Sequence, residues 1–171
     1  NFKVKKIYSF EPSLKSFNEL KTNVKKLLIK NKYTKIFLEN SALGNEEGEI
    51  RLKQMQESSS STINEINTNS KYFKRKSLLL YKNENKNFYS EIIVQQKKLS
   101  NFIEKNGTPK IDFLKIDTEG YELNVLLGLE KHFKKISLIM FEHHYHNMLI
   151  KKYKFSDIHE LLTKNNFLQI F

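Results

Sequence analysis

Two near-continuous apolar runs, IDFLKI (111–116) and ISLIMFE (136–142), constrain the fold more than any other feature of the chain. Between them Val125, Leu126, Leu129 and Phe133 recur on one helical face, predicting a helix from about Glu119 to Phe133. A run with no polar alternation is typical of a strand buried on both faces, as in a parallel sheet. Strand, helix and strand in this order form a right-handed βαβ unit.

The rest of the chain repeats the pattern. VKKIYSF (4–10) reads as a strand stopped at Glu11-Pro12, and Ser13 can cap a helix to about Lys30. Its apolar positions Leu14, Phe17, Leu20, Val24, Leu27 and Leu28 have helical spacing. KIFLEN (35–40) is a second strand, ALGNEEGE (42–49) a loop and IRLKQM (50–55) a third strand. Residues 57–76, including ESSSSTINEINTNS, are polar enough to predict a mobile surface loop. SLLLYK (77–82) and EIIVQQK (91–97) bracket the turn NENKN as a hairpin or edge strands. LSNFIEKN (99–106) predicts a short helix ending at Gly107. FSDIHELLTKNN (155–166) predicts a last helix capped by Ser156 or Asp157, and FLQIF (167–171) the start of a strand. The expected class is α/β, a Rossmann-like, mostly parallel sheet flanked by helices, with a polar insertion or hairpin around 50–98.

At 171 residues, 39% hydrophobic and 12% aromatic, the chain can bury the core of one domain. It has no cysteine, which excludes disulfides, thiolate zinc sites and cysteine nucleophiles and suits a reducing, cytoplasmic setting. No apolar run reaches the length of a membrane span, so none is expected. The net charge of +11 comes almost wholly from lysine, spread in pairs, with Arg51 and Arg75 the only arginines. Sequence-specific nucleic-acid readers concentrate their charge and favour arginine forks, so no specific nucleic-acid partner is expected. The densest basic cluster is Lys71, Lys74, Arg75 and Lys76.

In open parallel sheets, ligands bind beyond the carboxyl ends of the strands. Here those ends carry Glu11, then Glu39-Asn40-Ser41, then Asp117, then Glu142-His143-His144. Glu11 could hold both hydroxyls of a ribose or merely open the turn at Pro12. Asp117, Glu119 and Glu122 could line a site, or cap a helix and complement its dipole. Gly120 suits a helix start only where something must approach the backbone closely. In EHHYHNM (142–148), an extended backbone puts Glu142, His144 and His146 on one face and His143 and Tyr145 on the other. No HExxH or comparable spacing supports a metal, and none is expected; a histidine there could serve as general base.

YSFEP (8–12), NSALGNEEGEI (40–50), LSNFIE (99–104), IDFLKIDTEGYELNVLLGLE (111–130) and IMFEHH (139–144) together resemble the FkbM family of methyltransferases. The resemblance implies a class I fold, S-adenosylmethionine as cofactor and O-methylation of a small molecule or sugar. It implies that Glu11 holds the cofactor ribose, that Asn40, Ser41 and Ala42 border the adenine, and that Asp117 lies beside the methionine moiety. Asp117, Glu119 and His143 are the implied catalytic residues, with Asp117 or His143 as base. Glu122, Glu142 and His144 are the implied acceptor-binding residues, for a small-molecule or glycan acceptor.

Two departures accompany the resemblance. The family's first strand and glycine-rich loop precede the FEP block, and the chain begins after that point. Lys98-Leu99-Ser100 stands where the family has Thr-Leu-Asp. The expectation is a single methyltransferase-like domain over 1–171, incomplete at its start and cut within a late strand. The rival reading is a non-catalytic Rossmann-like domain that binds a partner or nucleic acid through its lysine-rich surface. A second rival is a nicotinamide-dependent α/β enzyme.

Overall fold

The computed structural model describes residues 3–30, 33–55, 61–80 and 88–170. The predicted βαβ unit is present, in shortened form. Strand β7 (Leu114–Ile116) pairs in parallel with β8 (Ile139–Phe141), and Ile111 bridges Ile136 in the same sense. The intervening helix is shorter than its periodicity predicts. Glu119 and Gly120 take positive φ, 51° and 93°, so α4 starts only at Glu122 and runs to Leu127. A third positive φ, at Glu130, marks the start of a 3-10 helix, Glu130–Lys135. Val125, Leu126, Leu129 and Phe133 all reach the core, so the stripe was real although one helix does not carry it.

A second parallel pair joins β1 (Lys6–Phe10) to β2 (Lys35–Glu39) across helix α1 (Leu14–Lys30). Ser13 caps α1 through its Oγ, 3.4 Å from the Ser16 N–H. The inward stripe of α1 is Phe17, Leu20, Val24 and Leu28, all half-buried, while Leu14 and Leu27 are exposed. The third sheet has the order β3-β6-β4, with β3 (Ala42–Gly44), β4 (Gly48–Met55) and β6 (Tyr89–Lys98). Residues 42–44 are therefore a strand rather than the start of a loop; they lie parallel to Gln96–Lys98. EIIVQQK pairs antiparallel with β4 and not with SLLLYK. Three parallel pairs and flanking helices make the chain mixed α/β, consistent with a Rossmann-like methyltransferase fold, though each sheet is small.

Segment 57–76 is not simply a surface loop, although residues 57–60 fall outside the described part. Thr62 and Ser70 are buried, β5 (Glu65–Ile66) pairs with β9 (Leu149–Ile150), and α2 spans Lys71–Leu80. The polar residues make local bonds that build structure. Asn67 Oδ1 accepts from Asn69 N–H, and Ser70 Oγ accepts from Phe73 N–H at 3.1 Å, which caps α2. Phe73 then buries against Met148 and Leu149. Leu78 and Leu79 thus belong to a helix rather than a strand, and NENKN lies outside the described residues.

Further differences are local. Helix α3 (Leu99–Lys105) has no side-chain cap of its own, since Lys98 occupies that position. Glu47 supplies one from the β3–β4 loop, accepting from Lys98 N–H at 2.9 Å and Asn101 Nδ2 at 2.8 Å. Helix α5 (Phe155–Lys164) begins after Lys154, whose N–H donates to Asp157 Oδ2 at 2.7 Å, so Asp157 acts from inside the first turn. Residues 167–170 form no strand. The runs read as buried on both faces have one open face: Phe113, Leu138 and Met140 are each about half exposed. The main core gathers α3, α4, β7, α5 and the 3-10 helix around Ile103, Leu126, Leu129 and Ile158. No helix among the described residues is long and apolar enough to cross a membrane.

Candidate active site

The turn between β7 and α4 is organised by one carboxylate. Glu122 is fully buried. Its Oε1 accepts from Gly120 N–H at 2.9 Å, Thr118 Oγ1 at 3.2 Å and Thr118 N–H at 3.4 Å. Its Oε2 accepts from the Tyr153 hydroxyl, which burial and the neighbouring Glu122 push far above the usual phenol range. A buried carboxylate is tolerable only when hydrogen bonds replace its lost hydration, and these four donors do so. Glu122, expected to face an acceptor, thus lies fully buried with both carboxylate oxygens hydrogen-bonded.

Glu122 frees the preceding residues to take left-handed backbone. The Glu119 carbonyl accepts from Thr62 Oγ1 at 2.8 Å and from Asn64 Nδ2 at 3.3 Å. Gly120 is favoured by its φ of 93°, and a Cβ there would also lie 2.8 Å from Asn64 Nδ2 and 3.2 Å from Lys151 Cγ, so those side chains would have to shift. Among the described residues Asp117 caps no helix; its Oδ2 takes a 2.8 Å ion pair from Lys115 at the surface. The capping and dipole reading therefore holds only for Glu122, which stands in the first turn of α4; Glu119 precedes the helix with positive φ.

The exit of β8 closes on the same turn. Glu142 N–H donates to Ile116 O at 3.2 Å, which extends the parallel register. His144 Nε2 lies 3.2 Å from Glu119 Oε2 and 3.9 Å from Glu142 Oε1. His143 Nε2 is 3.3 Å from Lys151 Nζ, and its ring is boxed by Tyr145, Tyr153 and Phe155. Burial and the Lys151 cation hold His143 below the usual imidazole range. His146 stacks on Tyr72 with ring centroids 4.1 Å apart, which ties α2 to this edge. Among the described residues, no three metal-capable side chains converge.

A second group follows β1 and β2. Glu11 Oε1 accepts from Ser13 N–H at 2.8 Å, and burial raises the carboxyl above its usual range. Among the described residues Oε2 makes no hydrogen bond. Asn40 Nδ2 donates to the carbonyls of Glu11, at 2.8 Å, and Pro12, at 3.1 Å, which fastens the two strand ends together. Ser41 is fully buried with its Oγ unpartnered among the described residues, and Ala42 is buried in β3. The structure thus assembles Glu119, Glu122, Glu142, His143 and His144 in one cluster and Glu11 with Asn40 in another.

The family model for the methyltransferase FkbM domain matches residues 1–168. The chain belongs to this family. Comparison with curated proteins and with solved structures returned no match. Within the FkbM domain, three residues that pack against the β7–α4 turn escaped sequence reasoning: Thr62, Asn64 and Lys151. The first two lie in a segment whose composition mimics disorder. Lys151 is one member of a Lys-Lys pair, with nothing local to set it apart from Lys152.

Proposed function

We propose that the FkbM domain is an S-adenosylmethionine-dependent O-methyltransferase acting on a hydroxyl of a small molecule or sugar in the cytoplasm. The observation that carries this reading is the clustering of acids and histidines where two parallel strand pairs end, in a chain of a methyltransferase family. Glu11 fits a ribose, having one carboxylate oxygen fixed by its own turn and the other ready to accept a hydroxyl. Asn40, Ser41 and Ala42 would border the adenine, beyond the end of β2. Asp117 would stand beside the methionine moiety.

When bound, the cofactor supplies an electrophilic methyl on a positively charged sulfur. The protein supplies alignment, which accounts for much of the rate in a displacement of this kind. Glu119 and Glu142 place negative charge at the site, suited to a cationic sulfur, and His144 lies between them. Glu122 acts as a positioning residue that fixes the turn. Proton removal from the acceptor falls to the Asp117 and His143 side.

Titration calorimetry with S-adenosylhomocysteine tests the cofactor assignment. Glu11→Ala should weaken binding by roughly 10-fold or more, as expected for a lost hydrogen bond to a charged group. Unchanged affinity would remove the ribose role from Glu11.

A further inference from the structure

Lys151 directly follows β9 and turns back to the β8 exit. Its stem lies across Gly120, with Cγ and Cδ 3.2 Å from where a Cβ would stand. Its Nζ lies 3.3 Å from His143 Nε2 and donates to the His144 carbonyl. Lys152, its neighbour, is exposed. Glu119, Glu122 and Glu142 belong to the same cluster, yet no carboxylate forms an ion pair with Lys151 among the described residues.

We propose that the Lys151 amine, oriented by His143 and the His144 carbonyl, is the group that takes the proton from the acceptor hydroxyl. The proposal rests on the methyltransferase reading above and replaces His143 as base. A neutral amine has two N–H groups and one lone pair. His144 O and His143 Nε2 accept the two hydrogens, which leaves the lone pair for the acceptor. His143 cannot do the same. Its Nε2 is taken by Lys151, and its Nδ1 is buried without a partner among the described residues.

The surroundings favour the neutral amine. Burial lowers the Lys151 ammonium below the usual lysine range. Glu122 of α4 opposes this, though four hydrogen bonds already stabilise its charge. The Tyr153 ring, 5.6 Å from Nζ, also favours the cation. His143 and His144 face Nζ from the β8 exit, and Asn64 borders the stem across Gly120. Desolvated lysines serve as bases for this reason. In the step itself the acceptor O–H proton goes to Nζ and the oxygen pair forms the bond to the methyl carbon. The carbon–sulfur pair returns to sulfur.

NMR titration of the 13C,15N-lysine-labelled protein tests the proposal without an acceptor, with Lys151→Arg assigning the signal. Lys151 should titrate well below Lys152. In Lys151→Met the His143 ring should titrate at higher pH, because Lys151, still protonated in the lower pH range where the imidazole titrates, no longer faces Nε2; Lys151→Arg, which keeps the charge, should restore it. Lys151 titrating together with Lys152, or a His143 ring unmoved by the Met change, overturns the proposal. Calorimetry with S-adenosylhomocysteine separates the two layers. A wild type that binds it while Lys151 titrates normally sinks this proposal alone; a wild type that does not bind sinks the reading beneath it as well.

Discussion

Glu11 lies one residue beyond β1 and Glu122 opens the helix after β7, and the two acids are used in opposite ways. Glu122 is fully buried and spends every oxygen on the fold: two backbone N–H groups, a threonine and a tyrosine. Glu11 is half-buried and spends one oxygen on Ser13. A saturated acid can only hold structure, whereas a half-satisfied one has capacity for a ligand. Exposure and the count of unmet hydrogen bonds separate the two acids in the same direction.

That contrast breaks first if Glu122 can be lost cheaply. Glu122→Ala strands four donors, of which the Gly120 N–H and the Tyr153 hydroxyl are buried, and should cost about 3–5 kcal/mol in urea unfolding, against about 1 kcal/mol or less for Glu11→Ala. Equal losses would erase the distinction between the two acids.

Thr62→Val sharpens it. The change keeps the volume but removes the donor to the Glu119 carbonyl, and should cost about 1–2 kcal/mol. Thr62→Ser should recover most of the loss. If Thr62→Val is as stable as the wild type, the 61–66 segment does not brace the turn.

Acid sensitivity is the smallest expected effect. Burial holds His143 and His146 below their ordinary value of 6.5, so the unfolded chain binds more protons in the interval beneath it. Their contribution to stability is complete above about pH 6.5 and is lost as pH falls toward the lowered values. Glu11, raised above 4.5 by burial, acts in the opposite sense: it adds stability as pH falls through its raised value. Stability should therefore begin to fall below about pH 6.5, and His143→Gln should flatten that slope in thermal melts. A slope unaltered by the change would place the acid response elsewhere.

Much of the parallel scaffold was legible because it rests on local periodicity. The strands at 6–10, 35–39 and 114–116, the helix after Ser13 and the acids past each strand end follow from side-chain spacing and turn chemistry. The 61–80 segment was not legible in the same way. Asn67 and Ser70 cap and turn a chain that composition marks as loose, and Phe73 finds its core only in Met148 and Leu149, far along the sequence. Ser70 ahead of a helical run was the available signal.

The sequence by itself determined the strands and first helix of the parallel scaffold and which edge of the parallel pairs carries acids and histidines. Both depend on residues close together in the chain. Only the tertiary structure decided what each acid does. Glu119 is left-handed because Thr62 and Asn64 hold its carbonyl, Glu122 is a keystone because Tyr153 reaches it, and Lys151 differs from Lys152 because His143 stands opposite it. Those partners come from distant segments, and a buried charge takes its role from the donors around it.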